Sequence, residues 1–460
     1  MKSIPKNVLR AGLRLVYADP EKNLPKLVNW AQPIATATGR IQENQWKMIK
    51  HITQDPSSGG SGLIMRIIHQ TDHDVLEKIV MNFVFNAAWF GSEQLDKNRT
   101  EMDMNIPWAI LMDPTSACNL SCTGCWAAEY KKTDTLSFQT LDRIIAEGKE
   151  LGTYAYLFSG GEPLIRKHDL IKLARKHNDA IFAVFTNATL IDTEFAENLL
   201  SVKNFIPIIS IEGTEEMTDA RRGSGVWKKC IQAMDLLRER GLPFGFSTCY
   251  HAHNTEYVGS DEFIEFMEAK GALFGWYFTY IPIGEGASLD LVASTSQRAY
   301  MLKRVREIRT HSPLFVLDFW NDGNYVHGCI AGGRRYLHIN AHGDMEPCAF
   351  IHYACETIHD KPLLEALKNP LFKAYRDHQP CNTNMFRPCP MLDNPEILVE
   401  MVNQSGAKST QPIDAETVEQ LYAKCKPIAD SWKPVADNLW EVYQRKEVPK
   451  TQRLEPNISG

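Results

Sequence analysis

The sequence predicts an α/β chain built on a parallel sheet, and three observations carry that prediction. Apolar runs of strand length at 106–112, 153–158, 180–185, 205–211, 243–250 and 273–280 alternate with amphipathic segments at 137–151, 168–177, 192–202, 226–240, 261–270 and 296–309. Six strands, each followed by a helix, are the pattern of βα units. The 460 residues are 44% hydrophobic and 23% charged, which suits a large buried core and excludes a disordered or collagen-like chain. No fixed-period repeat divides the chain, so it is not a solenoid. We divide it into a helical region at 1–104, the α/β unit at 105–310, a loop-rich segment at 311–400 and a helical tail at 401–460. The formal charge of −6 gives no basic field for nucleic acid.

In the first region Ser3 and Pro5 suit a first helical turn, and Ile4, Val8, Leu9, Leu13 and Val16 recur at helical spacing. Lys2, Lys6, Arg10 and Arg14 lie opposite. Such a helix reads either as a domain-surface helix or as a peripheral membrane contact through residues 2–16. Residues 55–62, rich in Ser and Gly, read as a loop. Residues 72–90 read as an apolar helix, whose most apolar stretch, 79–90, is too short and too interrupted by Asn82 and Asn86 to span a bilayer. The first residues contain no apolar signal segment, so the chain is expected in the cytoplasm, where thiols stay reduced. In the α/β unit, Leu141, Ile144, Ile145 and Leu151 share one helical face, and Gly152 stops that helix. Parallel strands bring their carboxyl ends to one face, the face where barrel active sites are built. Beyond 311 the alternation fades. Residues 320–400, with many Gly, Pro, Asn, His and Cys, read as loops organised by a metal, and 414–446 as helix broken at Pro427 and Pro434.

The chain has 11 cysteines, the first at position 118. Cys118, Cys122 and Cys125 form C-x3-C-x2-C in the loop after strand one, with no fourth Cys and no nearby His. A structural zinc needs four closed ligands, and an electron-transfer [4Fe–4S] cluster needs four thiolates. Three thiolates instead leave one iron free for a small molecule. Further loops follow the other strands in order: Ser159-Gly160-Gly161-Glu162-Pro163, Thr186-Asn187-Ala188, Ser210-Ile211-Glu212-Gly213 with Arg221 and Arg222, and Ile281-Pro282-Ile283-Gly284. Paired glycines permit close backbone approach, a glutamate can pair with an ammonium, and a guanidinium can hold a carboxylate.

These motifs together resemble the radical S-adenosylmethionine (radical SAM) enzymes over roughly 106–310. The resemblance implies a partial (β/α)6 TIM-like barrel in which Cys118, Cys122 and Cys125 hold a [4Fe–4S] cluster and S-adenosylmethionine chelates its open iron. It places Gly160, Gly161, Glu162 and Pro163 at the methionyl amine, Ser210 and Glu212 at the ribose, Arg222 at the carboxylate and Ile283 at the adenine, with Asn187 beside them. It implies reductive cleavage to a 5′-deoxyadenosyl radical that removes hydrogen from a substrate, fed by a flavodoxin- or ferredoxin-type donor. Three positions depart from the family pattern: Gly124 stands where an aromatic residue usually precedes the third cysteine, Ala188 replaces a glycine, and Glu212 replaces an aspartate.

Cys230 reads as a packed core thiol, and Cys249, near the end of strand five, as a thiol that either packs or faces the cavity. Cys329, followed by Gly343 and Cys348 as C-x13-G-x4-C, resembles the SPASM or twitch extension of the same superfamily. That implies one auxiliary [4Fe–4S] cluster on Cys329, Cys348, Cys389 and either Cys381 or Cys355, with Cys425 a free thiol. Two substrate classes stay open, a peptide and a membrane lipid chain. A non-catalytic zinc-binding interaction protein is the alternative from another class.

Overall fold

A computed structural model describes residues 6–37, 43–128, 130–284, 287–413 and 415–447. The helix-start signals at Ser3 and Pro5 lie outside the described residues. One nine-stranded sheet dominates: β1 Ala109–Met112, β2 Ala155–Phe158, β3 Ile181–Thr186, β4 Phe205–Ser210, β5 Gly245–Tyr250, β6 Phe274–Thr279, β7 Phe315–Asp318, β8 Tyr336–Ile339 and β9 Met345–Glu346. Its order is β7-β6-β5-β4-β3-β2-β1-β8-β9, and every pair is parallel except β8 with β9. The six predicted helices are present, from Phe138–Leu151 to Thr295–His311. The first is capped as its sequence requires, with the Ser137 hydroxyl accepting from the Thr140 N–H and Gly152 at φ 105° closing the end.

Side chains alternate across each strand. On β3, Phe182 and Val184 point outward and are fully buried against the helices, while Ala183 and Phe185 point inward and keep accessible surface. The outer packing forms the main core, joined by Leu141, Ile144 and Ile145 from the first helix.

Three expectations need correction. Residues 59–62 are not loop: they open the helix Gly59–Gln70, capped by Ser58. Their glycines serve contact, since a Cβ on Gly59 would lie 2.5 Å from the Ser312 carbonyl oxygen. The alternation does not end near 311, because β7 pairs with β6, and β8 pairs in parallel with β1 from Ala109↔Tyr336 to Met112↔Ile339. The loop-rich segment therefore extends the barrel sheet at its β1 edge. Pro427 and Pro434 do not break the tail, which runs as one helix, Val418–Glu447. Wholly buried Trp432 anchors it by donating to the Phe386 carbonyl (2.9 Å).

The N-terminal helices cover the amino ends of the strands. Asn82 donates to the carbonyls of Asn178 (2.9 Å) and Ala180 (2.7 Å), just before β3, and Asn86 to Asp179 (2.8 Å). Arg66 donates to the carbonyls of Ala272 (3.0 Å) and Pro313 (2.7 Å), just before β6 and β7. The two asparagines that interrupt the apolar segment thus attach its helical turns to the barrel floor. No helix among the described residues is long and apolar enough to cross a membrane.

Candidate active site

β1 ends at Met112, and the three-cysteine loop leaves from the carboxyl face through Asp113, whose Oδ1 accepts from the Ser159 hydroxyl (2.8 Å). The Gly160–Gly161 loop after β2 lies directly on the cysteine loop. The Gly161 N–H donates to the Thr115 carbonyl (3.1 Å) and the Glu162 N–H to the Ala117 carbonyl (2.8 Å). A Cβ on Gly161 would fall 2.1 Å from the Ala117 oxygen, and one on Gly160, at φ 110°, 2.6 Å from the Thr115 oxygen. The paired glycines therefore let two backbones meet.

Glu162 is buried, with Oε1 accepting from the Leu164 N–H (2.9 Å) and the Thr186 hydroxyl (2.8 Å) and Oε2 from the Asn187 N–H (2.8 Å). Burial raises its pKa against the pull of these donors. Asn187 donates through Nδ2 to Asn119 Oδ1 (2.9 Å), tying the loop after β3 to the cysteine loop. Helix Glu215–Arg222 holds the other side: the Thr123 N–H donates to the Arg221 carbonyl (2.9 Å), and the Arg221 guanidinium to the Gly124 carbonyl (3.3 Å).

Cys118, Cys122, Cys125, Gly160, Gly161, Glu162, Asn187, Ser210 and Arg222 all line one cavity of about 730 Å³. Three other predicted contacts do not. Glu212 is wholly buried behind the arginines, its Oε1 accepting from Arg221 Nη1 (2.5 Å) and from Arg222 Nε (2.8 Å) and Nη2 (2.5 Å). Its Oε2 accepts from the Cys249 N–H (3.2 Å). Burial pushes its pKa up, but the two guanidiniums outweigh burial and lower it. Glu212 thus orients Arg221 and Arg222 and does not face the cavity. Ile283 packs in a second core with Trp320, and it is Ile281 that lines the cavity. Pro163 is itself buried and starts a short 3-10 turn.

The departures at Gly124 and Ala188 have local explanations. Gly124 sits at φ 66° with the Tyr280 ring where its Cβ would point (2.6 Å), so a residue after β6 supplies the aromatic surface there. Ala188, at φ 63°, adopts the backbone that a glycine would take without strain, its N–H donating to Thr186 Oγ1 (3.0 Å). Cys230 is core, as expected, and Cys249 lines the cavity.

The second group of thiols surrounds Tyr375. Burial, followed by the thiols of Cys329, Cys348, Cys381 and Cys389, pushes the Tyr375 hydroxyl far above its usual range. That hydroxyl is buried and has no hydrogen-bond partner among the described residues. The Cys348 sulfur accepts from the Tyr336 hydroxyl (3.0 Å), and the Cys389 sulfur from the N–H groups of Met391 and Leu392 (3.4 Å each). Cys355 instead donates to the Ser405 carbonyl (3.5 Å), and Cys425 is buried in the tail. Among the described residues, no three His, Cys, Asp or Glu groups converge as the ligands of a single ion would.

One buried constellation escaped the sequence reading. His338 on β8 stands between Glu346 Oε2 (2.6 Å from Nδ1) and Asp113 Oδ2 (2.9 Å from Nε2), and Tyr130 donates to Glu346 (2.8 Å). The Trp126 ring, next to Cys125, meets His338 edge to face at 5.6 Å. Burial opposes a charge on His338, but the two carboxylates outweigh it and raise its pKa to about 10. Only the pairing of β8 with β1 brings these groups together, and no sequence motif marks it.

The model of the radical SAM superfamily matches residues 112–267, which hold the three-cysteine loop and the strands through β5. The chain carries a radical SAM domain. It is 25% identical to the AdoMet-dependent heme synthase of Methanosarcina barkeri over 303 residues, 59% of this chain and 86% of that protein. It is 26% identical to the PqqA peptide cyclase of Granulibacter bethesdensis over 271 residues, 55% and 69% of the two. Among solved structures, Streptococcus suis SuiB bound to precursor peptide SuiA matches with a TM-score of 0.55 at 16% identity, over 71% of this chain and 79% of SuiB. At that identity the likeness to SuiB is one of fold, a radical SAM partial barrel.

Proposed function

We propose that the chain is a radical SAM enzyme whose Cys118, Cys122 and Cys125 hold a [4Fe–4S] cluster beside bound S-adenosylmethionine, and that it takes a hydrogen atom from an unactivated C–H bond. One observation carries this reading: three thiols of one loop open onto the same cavity as Glu162, Arg221 and Arg222. When bound, cluster and cosubstrate together supply an electron and a 5′-deoxyadenosyl radical. The chain's own part is to orient and to shield. Glu162 offers a fixed carboxylate to an amine, and Arg221 and Arg222, aligned on Glu212, share one buried charge and leave positive potential for a carboxylate. Apolar walls below them exclude water from a reactive carbon.

The four thiols around Tyr375 suit an auxiliary iron–sulfur site of SPASM or twitch type on Cys329, Cys348, Cys381 and Cys389. The unpartnered Tyr375 hydroxyl and the donors to Cys348 and Cys389 support it. That arrangement favours Cys381 over Cys355. A small flavodoxin- or ferredoxin-type protein is the fitting electron donor.

The relatives' names point to different chemistry, a peptide acted on by PqqA peptide cyclase and a heme made by heme synthase. Names alone therefore do not choose a substrate for this chain. Anaerobic reconstitution followed by reduction with S-adenosylmethionine tests the chemistry. 5′-Deoxyadenosine is expected from the wild type and none from Cys122→Ala. Equal product from the variant, or stoichiometric zinc without iron and sulfide, overturns the reading.

A further inference from the structure

The interior of a closed (β/α) barrel is ordinarily filled by layers of side chains. Here it is hollow. Ala183, Phe185, Ile206, Trp276 and Phe278 point inward from β3, β4 and β6, yet each keeps accessible surface, while their outward neighbours are buried. That surface faces the cavity that holds the three cysteines, and the cavity runs the whole depth of the barrel. Its lining on β3 reaches from Thr186 down to Ile181, roughly 17 Å at the rise of a strand. It ends among the N-terminal helices at Leu63, Ile67, Leu76, Ile79 and Phe83.

The chemistry of the wall changes with depth. Charged and hydrogen-bonding groups gather at the cysteine end. Below them two rows set by strand register, Leu111–Leu157–Ala183 and Ala109–Ala155–Ile181, present hydrocarbon. The alanines keep the bore open where larger residues would close it. At the far rim the wall becomes polar again with Thr71 and the exposed Arg335 beside Trp108. Water in the middle stretch would find few hydrogen-bond partners beyond the indole N–H of Trp276, which is unpaired among the described residues. A peptide threaded there would leave its N–H and C=O groups unpaired, whereas a methylene chain needs none. The N-terminal helices also expose Leu15, Trp30, Met48, Phe83 and Val84, apolar groups available to a lipid source.

We propose that the lumen holds the long unbranched hydrocarbon chain of a lipid substrate, entering between the N-terminal helices with its reacting carbon toward Cys118, Cys122 and Cys125. Its status as substrate rests on the radical SAM reading above, and its binding does not. The hydrocarbon chain is offered either free or from a bilayer, and both sources share the same methylene chemistry.

The test uses the full-length protein without iron, reductant or S-adenosylmethionine, so its failure is separate from failure of 5′-deoxyadenosine formation. Hexadecanoate is expected to bind saturably, one per chain, at least tenfold more tightly than octanoate. Ala183→Trp and Ala155→Phe, each narrowing a different row, are expected to weaken it at least tenfold. Vesicles of phosphatidylglycerol form the second arm: binding to vesicles without binding of free hexadecanoate assigns the source to the bilayer. Diazirine-bearing hexadecanoic acid on the wild type keeps the test decisive where a variant misfolds, with labelling expected on β2 and β3. Absence of binding in both arms, equal affinity for octanoate, or labelling confined to surface helices overturns the proposal.

Discussion

Glu212 shows how one side chain can matter to a site it never touches. Two guanidiniums converge on a single carboxylate oxygen out of contact with water. Removing the charge leaves two buried cations short of a partner, which costs about 3–5 kcal/mol. Glu212→Gln is therefore expected to lower the unfolding free energy measured in urea by that amount and to loosen Arg221 from Gly124. Gly161→Ala is expected to displace the cysteine loop, because the atoms in its way are backbone. A cost of about 1–3 kcal/mol in denaturation, with reduced iron retention after reconstitution, checks this. His338 gives a pH signature. Its pKa is raised by folding, so its contribution is complete below the unfolded value of about 6.5 and disappears as pH rises through about 10. Thermal stability should fall across that window, and the fall should be absent in His338→Gln. Residues such as Cys118, Cys122, Cys125 and Glu162 were legible in the sequence because they stand in short linear patterns. The pairing of His338 with Asp113 was not, because it depends on two strands more than two hundred positions apart.

At the scale of elements, hydrophobic periodicity located six strands and six helices because each strand is followed by an amphipathic helix, four of them with a side-chain N-cap. It missed β7, four residues placed directly after a long helix, and β8, whose central histidine interrupts an otherwise apolar run. It also took 59–62 for a loop. Glycine is a poor helix former in isolation, but this helix start needs the close approach to Ser312 and Pro313 that only hydrogen side chains allow. Asn82 and Asn86 make a related point: asparagines within an apolar helix mark where the segment attaches, through carbonyls that precede β3. Replacing both by leucine is expected to cost about 1–3 kcal/mol per unpaired buried carbonyl, read by thermal denaturation. The same change is expected to free the floor of the lumen, read as altered chain-length preference in hexadecanoate binding.

At the scale of the molecule, a helical floor closes the amino ends of the strands, and three loops gather thiols, a carboxylate and two guanidiniums at the carboxyl ends. The loop-rich segment contributes β8 and β9 to the same sheet, so the two groups of thiols share one hydrogen-bonded framework. This attachment has a consequence for synthesis. β1, which carries the three-cysteine loop, has β2 on one side, and its other edge waits for residues 336–339, made more than two hundred positions later. Until they arrive, the nascent chain displays an open parallel edge beside three reactive thiols, the condition under which strands pair with the wrong neighbour. Ribosome-bound chains stopped before residue 336 should therefore aggregate or require a chaperone, and loading of the first thiol site should follow release of the complete chain.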